Sequence, residues 1–379
     1  MKKAYLVADN IISPLGFSTE ANLENLRANN TGINRVDNKT IYEEPFYGAV
    51  INNDLLSSSL EIVSNNVEYS KLEKMMLLSI SKLLSENPSL DIKKSGIIIS
   101  TTKGNINALC SNSETKAYLG SIAETIKDYF DLDSEPIVLS NACISGGLAL
   151  AIAKRMIQTG EYEDMIVVGG DLLSEFTLSG FFSFQAVSPA PCKPFCKNRT
   201  GISLGEAAAV AWLSSNPKNV KGKAIQITGD ASANDANHIS GPSRTGEGLF
   251  ISISKALKEA GINNTQIDFI TAHGTATPFN DEMEAIAFNR AGLQNVPVNS
   301  LKGYYGHTLG ASALIESIIA RHCLMNDEIF ASLGFEELGV SQPINIIKKN
   351  ESKSLRRVLK TASGFGGCNV ALVIEKVSL

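Results

Sequence analysis

No apolar run in this sequence approaches the roughly 20 residues needed to cross a bilayer. The opening MKKAYLVADN has two lysines but reaches Asp9 after only a short apolar stretch. That is too short for the core of a secretory signal and predicts a first strand instead. The expectation is a soluble, cytoplasmic protein. An excess of positive charge is also missing. The chain has 34 basic and 39 acidic residues and a net charge of −5, which argues against general nucleic-acid binding and leaves room for a local basic patch. Cysteine is scarce: Cys110, Cys143, Cys192, Cys196, Cys323 and Cys368 form no regular disulfide framework. Cys192 and Cys196, in CKPFC, are spaced as half of a metal site, but no second Cys or His pair follows at a suitable distance, so neither metal nor cofactor is expected. Short-period repeats and low-complexity tracts are absent as well.

What is present is a chain of 379 residues, 44% hydrophobic and 19% charged, enough to bury two domains or one large duplicated unit. Apolar, β-branched runs recur between helical stretches. KAYLVAD, SGIIISTT, PIVLSNA, DMIVVGGD and AAAVAWLSS predict strands in the first half, and KAIQITGDASA, DFITAHG, VPVNS, RVLKTASG and CNVALVIEKV in the second. Continuous apolar strands imply burial on both faces, as in a layered α/β protein. NLENLRAN, YSKLEKMMLLSISKLLSE, SGGLALAIAKRMIQTG, GLFISISKALKEAG and HTLGASALIESIIARHCLMN predict helices. Each half ends on an antiparallel-looking strand pair. The polar stretch SSNPKNVKG marks the seam, giving halves over residues 1–215 and 216–379. The irregular stretch from Leu172 to Gly205 is long enough to predict a cover over a site.

Cys143, in SNACISGG, sits where a strand turns into a helix. Helix N–H groups aimed at the sulfur would lower its pKa below the free value of about 8.5 and make it a nucleophile; the alternative is an inert buried thiol. Of the four histidines, His322 lies within a helical run and His238 in a polar loop, both compatible with ordinary structural roles. His273 ends a strand and His307 lies in a glycine-flanked turn before a helix, positions that face the ligand crevice of α/β proteins. Lys302 shares the loop of His307. A buried lysine needs a carboxylate, for which Glu284 is the candidate; both could equally be solvated surface charges. Finally, SGFGGCN places Phe365 among glycines between two strands, as a plain hairpin plug or with its N–H facing a reacting carbonyl.

In this order the motifs NACISGG, GISLGEAAA, DANHISGPSRTGEG, AHGTATPFNDEMEA, SLKGYYGHTLGAS and SGFGGCN resemble the β-ketoacyl synthases, condensing enzymes of the thiolase superfamily. The resemblance spans roughly residues 90–376. It implies a thiolase-like fold, two similar βαβαβαββ halves in five α-β-α-β-α layers. It also implies that Cys143 takes an acyl chain from an acyl carrier protein as a thioester. His273 and His307 would stabilise the enolate formed when a malonyl thioester loses carbon dioxide. The N–H groups of Cys143 and Phe365, with Gly364 beside them, would form the oxyanion hole, and Phe365 would gate the acyl pocket. Lys302, paired with Glu284, would hold the charge of the site and orient His307, and Thr275 and Thr277 would contact the pantetheine arm. A dimer follows, homodimeric or with a related synthase-like subunit.

Departures from the family pattern are Cys196 where an Asp is usual, Ser363 where an aromatic is usual, and Asn280-Asp281 in place of Gly-Asp. They suggest a specialised pathway, such as polyene or polyketide assembly, over housekeeping fatty-acid elongation. Rival readings are a thiolase-type acyltransferase, with Cys368 as its second cysteine, and a non-catalytic chain-length partner subunit, which Cys143 argues against. An acidic carrier protein would favour basic residues around the entrance; Lys71, Lys74, Lys193, Lys197 and Arg199 are the candidates, or they are solvated charges.

Overall fold

The structure is a computed structural model, and it describes residues 1–59, 68–110, 114–235 and 241–379. The first half supplies strands β1 (Tyr5–Ile12), β2 (Gly96–Ser100), β3 (Ile137–Leu139), β4 (Asp164–Asp171) and β5 (Ala207–Ser214). Three helices join them: α1 (Lys71–Glu86), α2 (Leu119–Phe130) and α3 (Ser145–Thr159). The second half repeats the plan with β6 (Ala224–Asn234), β7 (Phe269–Thr271), β8 (Pro297–Asn299), β9 (Arg357–Gly364) and β10 (Cys368–Val377). Its helices are α4 (Glu247–Glu259), α5 (Pro278–Arg290) and α6 (Ser312–Asn326).

The strand order is β3-β2-β4-β5-β1 in one half and β8-β7-β9-β10-β6 in the other, the same topology twice, with a short extra strand, Asn345–Ile346, added in parallel beside β8. In both, the strands joined through helices pair in parallel and the last two form an antiparallel pair, β4 with β5 and β9 with β10. The two sheets meet where β1 pairs with β6 through Tyr5 and Gln226. Helices α3 and α6 pack on each other between the sheets. That position explains why α6 is apolar nearly all round, with Leu314, Ile315, Ile318 and Ile319 all buried. Helices α1 and α2 cover one outer face and α4 and α5 the other, each with its own apolar cluster. The result is a five-layer α-β-α-β-α arrangement.

Helix α1 begins at a capping box, in which Ser70 and Glu73 each satisfy a backbone N–H of the other. Its buried stripe of Leu72, Met75, Met76, Ile80 and Leu83 faces the first sheet. Strand β3 departs from the expected two-sided burial. As the outermost strand it is half-buried, with Ile137 40% exposed, because only β2 flanks it. No helix among the described residues is long and apolar enough to cross a membrane.

Candidate active site

Cys143 follows Ala142, whose φ of 44° places a non-glycine residue in the left-handed region and turns the chain sharply from β3 into α3. This turn presents the sulfur to a cavity of about 410 Å3 that is also lined by His273, His307, Thr275, Thr277 and Phe365. One side-chain atom from each of Cys143, His273 and His307 lies within 4.8 Å of the others, and all three residues are buried. The imidazole rings meet edge to face, centroids 5.0 Å apart. This is also the one such cluster among the described residues close enough to ligate a metal ion. The charges of Lys302 and Lys360, which depress both imidazoles, oppose a dication there.

The His307 turn is held from both sides. Its N–H donates to the Ser203 carbonyl at 2.7 Å, and its carbonyl accepts from Gly205 N–H at 3.0 Å. Gly205 has no room for a side chain: a Cβ there would lie 2.0 Å from the Tyr305 carbonyl oxygen. Leu309 N–H donates to His307 Nδ1 at 2.9 Å, which leaves the neutral ring's proton on Nε2. That Nε2 is buried without a protein partner, a donor available to a substrate oxygen. Burial, then Lys302, pushes the pKa values of both His273 and His307 well below the usual imidazole value, so both rings are neutral at pH 7.

Two sequence-based expectations are corrected here. Lys302 neither pairs with Glu284 nor holds His307. Its Nζ donates to the His273 carbonyl at 3.0 Å and to Glu316, and Lys360 Nζ lies 2.7 Å from the other Glu316 oxygen. Glu284 instead accepts from the backbone N–H groups of His273 and Gly274, at 2.8 and 2.6 Å, and from Asn280 at 2.9 Å. The carboxylate on α5 pins the His273 turn, while the lysine at the end of β8 reaches α6. The second correction concerns Cys143. Its thiol pKa is not lowered but raised to about 12; burial dominates, Cys368 adds to it, and Lys302 and Lys103 offset only part.

Gly364 lies against the Cys143 backbone: a Cβ at Gly364 would be 3.0 Å from Cys143 N. The glycine loop thus brings the main chain of Phe365 beside that of Cys143. Thr275 and Thr277 are joined through their hydroxyls at 2.8 Å and line the cavity. The stretch from Leu172 to Gly205 does reach the site: Phe181, Phe184, Gln185, Ala186 and Thr200 to Ile202 form one wall. Cys143, Cys192, Cys196, Cys323 and Cys368 are buried free thiols. His322 sits on α6 against Asp9, and His238 lies outside the described residues.

The basic candidates for the entrance are mostly engaged elsewhere. Lys71 forms an ion pair with Glu206 at 2.5 Å and donates to the Ile51 carbonyl. Lys193 and Lys197 pair with Glu336 and Glu337, and Arg199 is buried beside Asp281. Lys74 is half-buried on α1. Close packing of the loops around the cavity gave these cations partners that spacing along the chain does not show.

Sequence reasoning passed over four further residues. Glu316 and Lys360 are the buried partners of Lys302. Asp171 accepts from Thr101, Thr102, Lys103 and Gly310, tying the loop after β2 to the start of α6. Asp281 accepts from the N–H groups of Phe195, Thr275 and Ala276, and burial raises its pKa to about 7. The available signal was a charge inside or at the end of an apolar run, as in SALIESIIA or DMIVVGGD, which must find a partner on folding.

A family model for the beta-ketoacyl synthase N-terminal domain matches residues 95–219, and one for the C-terminal domain matches residues 225–336, together more than half of the chain. A putative mitochondrial 3-oxoacyl-(acyl-carrier-protein) synthase of Schizosaccharomyces pombe is 26% identical over 99% of both chains. The 3-oxoacyl-(acyl-carrier-protein) synthase 2 of Vibrio cholerae is 30% identical over 64% of this chain and 62% of its own length. Among solved structures, the ketosynthase ApeO in complex with its chain length factor ApeC from Xenorhabdus doucetiae superposes with a TM-score of 0.86 at 24% identity, covering 99% of this chain and 98% of that one. The ishigamide ketosynthase/chain length factor superposes with a TM-score of 0.88 at 20% identity, covering all of both chains.

Proposed function

The chain belongs to the beta-ketoacyl synthase family, and from that premise we propose that it catalyses the decarboxylative condensation of an acyl chain held on Cys143 with a malonyl group on an acyl carrier protein. The observation that carries the proposal is the convergence of the Cys143, His273 and His307 side chains within 4.8 Å in one cavity. In the first step the Cys143 sulfur attacks the acyl thioester. The arm's thiol leaves with the cysteine proton, and the N–H groups of Cys143 and Phe365 stabilise the oxyanion. In the second step a malonyl thioester binds with its carbonyl oxygen at the imidazoles. The Nε2–H of His307 is the donor whose tautomer the turn enforces. Loss of carbon dioxide leaves an enolate whose charge those donors hold; its carbon attacks acyl-Cys143 and expels the Cys143 thiolate, which takes up one proton from water. Preorganised donors of this kind contribute on the order of 3 kcal/mol each. Lys302 is a positioning residue that holds His273 through its carbonyl. Thr275 and Thr277 line the path of the pantetheine arm.

The halves over residues 1–215 and 216–379 act as one unit in this scheme, with the nucleophile on the first and both histidines on the second. We place the protein in the cytoplasm. Its partners are the carrier protein and a second copy or a related subunit; the half-exposed edge of β3 supports such pairing. Two similar structures are ketosynthase/chain length factor complexes, and the departures at Cys196, Ser363 and Asn280 favour a specialised polyene or polyketide pathway. The intact Cys143 argues against a purely non-catalytic subunit. The two steps separate by mutation. Cys143→Ala should abolish acyl capture yet still release labelled carbon dioxide from malonyl-carrier protein, whereas His307→Ala should cut that release about 100-fold. Unchanged release in His307→Ala would sink the proposal.

A further inference from the structure

The cavity wall carries an aromatic cluster that the condensation chemistry does not use. Phe365 is flanked by Phe181, centroids 5.6 Å apart and planes 30° apart, and by Phe184, centroids 5.4 Å apart and planes 60° apart. All three line the cavity that holds Cys143. Phe184 and Phe365 are 54% and 40% exposed, so their ring faces lie open to a ligand. A chain that needed only an apolar surface would be served by aliphatic side chains. Three rings that meet at a tilt offer flat surfaces.

The spacing gives those surfaces a use. A planar π-system fits between two near-parallel rings when their centroids stand about 7 Å apart, twice a carbon–carbon contact of roughly 3.5 Å. The Phe181–Phe365 pair is at 5.6 Å and 30°, so a shift of little more than 1 Å, with a rotation that levels the rings, admits a flat chain. Phe365 sits on a loop with the means to shift: Gly366 follows at φ 83° and Gly367 at φ 76°. A Cβ at Gly366 would meet nothing within 4 Å. A saturated chain is thicker, with methylene hydrogens on both sides of its carbon plane, and it gains no ring stacking.

We infer that Phe181, Phe184 and Phe365 select planar, unsaturated acyl chains, conjugated along their length, for transfer to Cys143. The inference rests on the acyl-transfer reading above. Its test is the rate of Cys143 acylation by two N-acetylcysteamine thioesters of equal length, hexanoyl and 2,4-hexadienoyl, followed by intact-protein mass spectrometry. The mass separates a thioester from an adduct formed by addition across the double bond. Phe184→Leu keeps apolar bulk and removes the flat face, and Phe181→Leu does the same on the other side. The ratio of dienoyl to saturated acylation should fall about three- to tenfold in either variant, the factor expected for one lost ring contact. Comparing ratios between proteins cancels the different intrinsic reactivity of the two thioesters. A ratio unchanged in both variants overturns the selection. If neither thioester reaches Cys143 in the unmodified protein, the acyl-transfer reading itself fails.

Discussion

At pH 7 the Cys143 sulfur keeps its proton, since burial lifts its pKa to about 12. The neighbouring imidazoles are neutral for the same reason acting on the opposite charge. Each group is therefore in the protonation state that avoids a buried charge. The sign of the shift makes a clear prediction. The thiolate fraction should increase about tenfold per pH unit below the raised pKa, so alkylation of Cys143 by iodoacetamide should still be accelerating between pH 8 and pH 10. A plateau near pH 8 would mean an activated thiolate and would contradict the burial account. At this scale strand ends and glycine turns marked where Cys143, His273 and His307 reach a crevice, but not the place of Lys302, which is fully buried behind it. The sequence pointed to the wrong carboxylate for Lys302, Glu284 instead of Glu316. Glu284 lies near in sequence to His273, but Glu316 is hidden in an apolar helix and its role exists only once α6 lies under the loop.

The elements around the site are tied by buried charge. Lys302 at the end of β8, Lys360 on β9 and Glu316 on α6 form one cluster, each at most 3% exposed at its side chain. Removing the shared carboxylate leaves two buried cations without their ionic partner. Glu316→Ala should thus lower the unfolding free energy by about 3–5 kcal/mol in a denaturant titration, as expected for breaking a buried pair. A loss under 1 kcal/mol would show that the lysines are held by backbone carbonyls alone. Strands β1 to β10 were visible as apolar runs, whereas the short strand Asn345–Ile346 beside β8 was not. Helix α2 and the helix over Glu175–Ser183 were not anticipated. In α2, Ile122, Ala123 and Ile126 do repeat at helical spacing, but a polar stretch precedes them. In Glu175–Ser183 phenylalanines on several sides blur any single apolar face, as suits a segment that lends Phe181 to the cavity wall.

Across the whole molecule, two copies of one topology share a central layer. Helices α3 and α6 each bury most of their surface, and each uses the other half to do so. Neither half can close its core alone. The fragment 216–379 expressed by itself should lack a cooperative thermal transition by circular dichroism, and a sharp one would show that the seam separates independent domains. The duplication was legible as rhythm in the strand and helix order, whereas the contact between the halves was not, because no local pattern encodes which faces meet. The candidate active site lies across that contact, with Cys143 from one half and the two histidines from the other. Its chemistry is tested most directly by intact-protein mass spectrometry after mixing with an acyl-loaded carrier protein and then malonyl-carrier protein. The expected result is an acyl group on Cys143 that disappears as a β-ketoacyl carrier protein lengthened by two carbons forms. An unmodified Cys143 alongside product formation, or product from the Cys143→Ala variant at the same rate, would contradict the account.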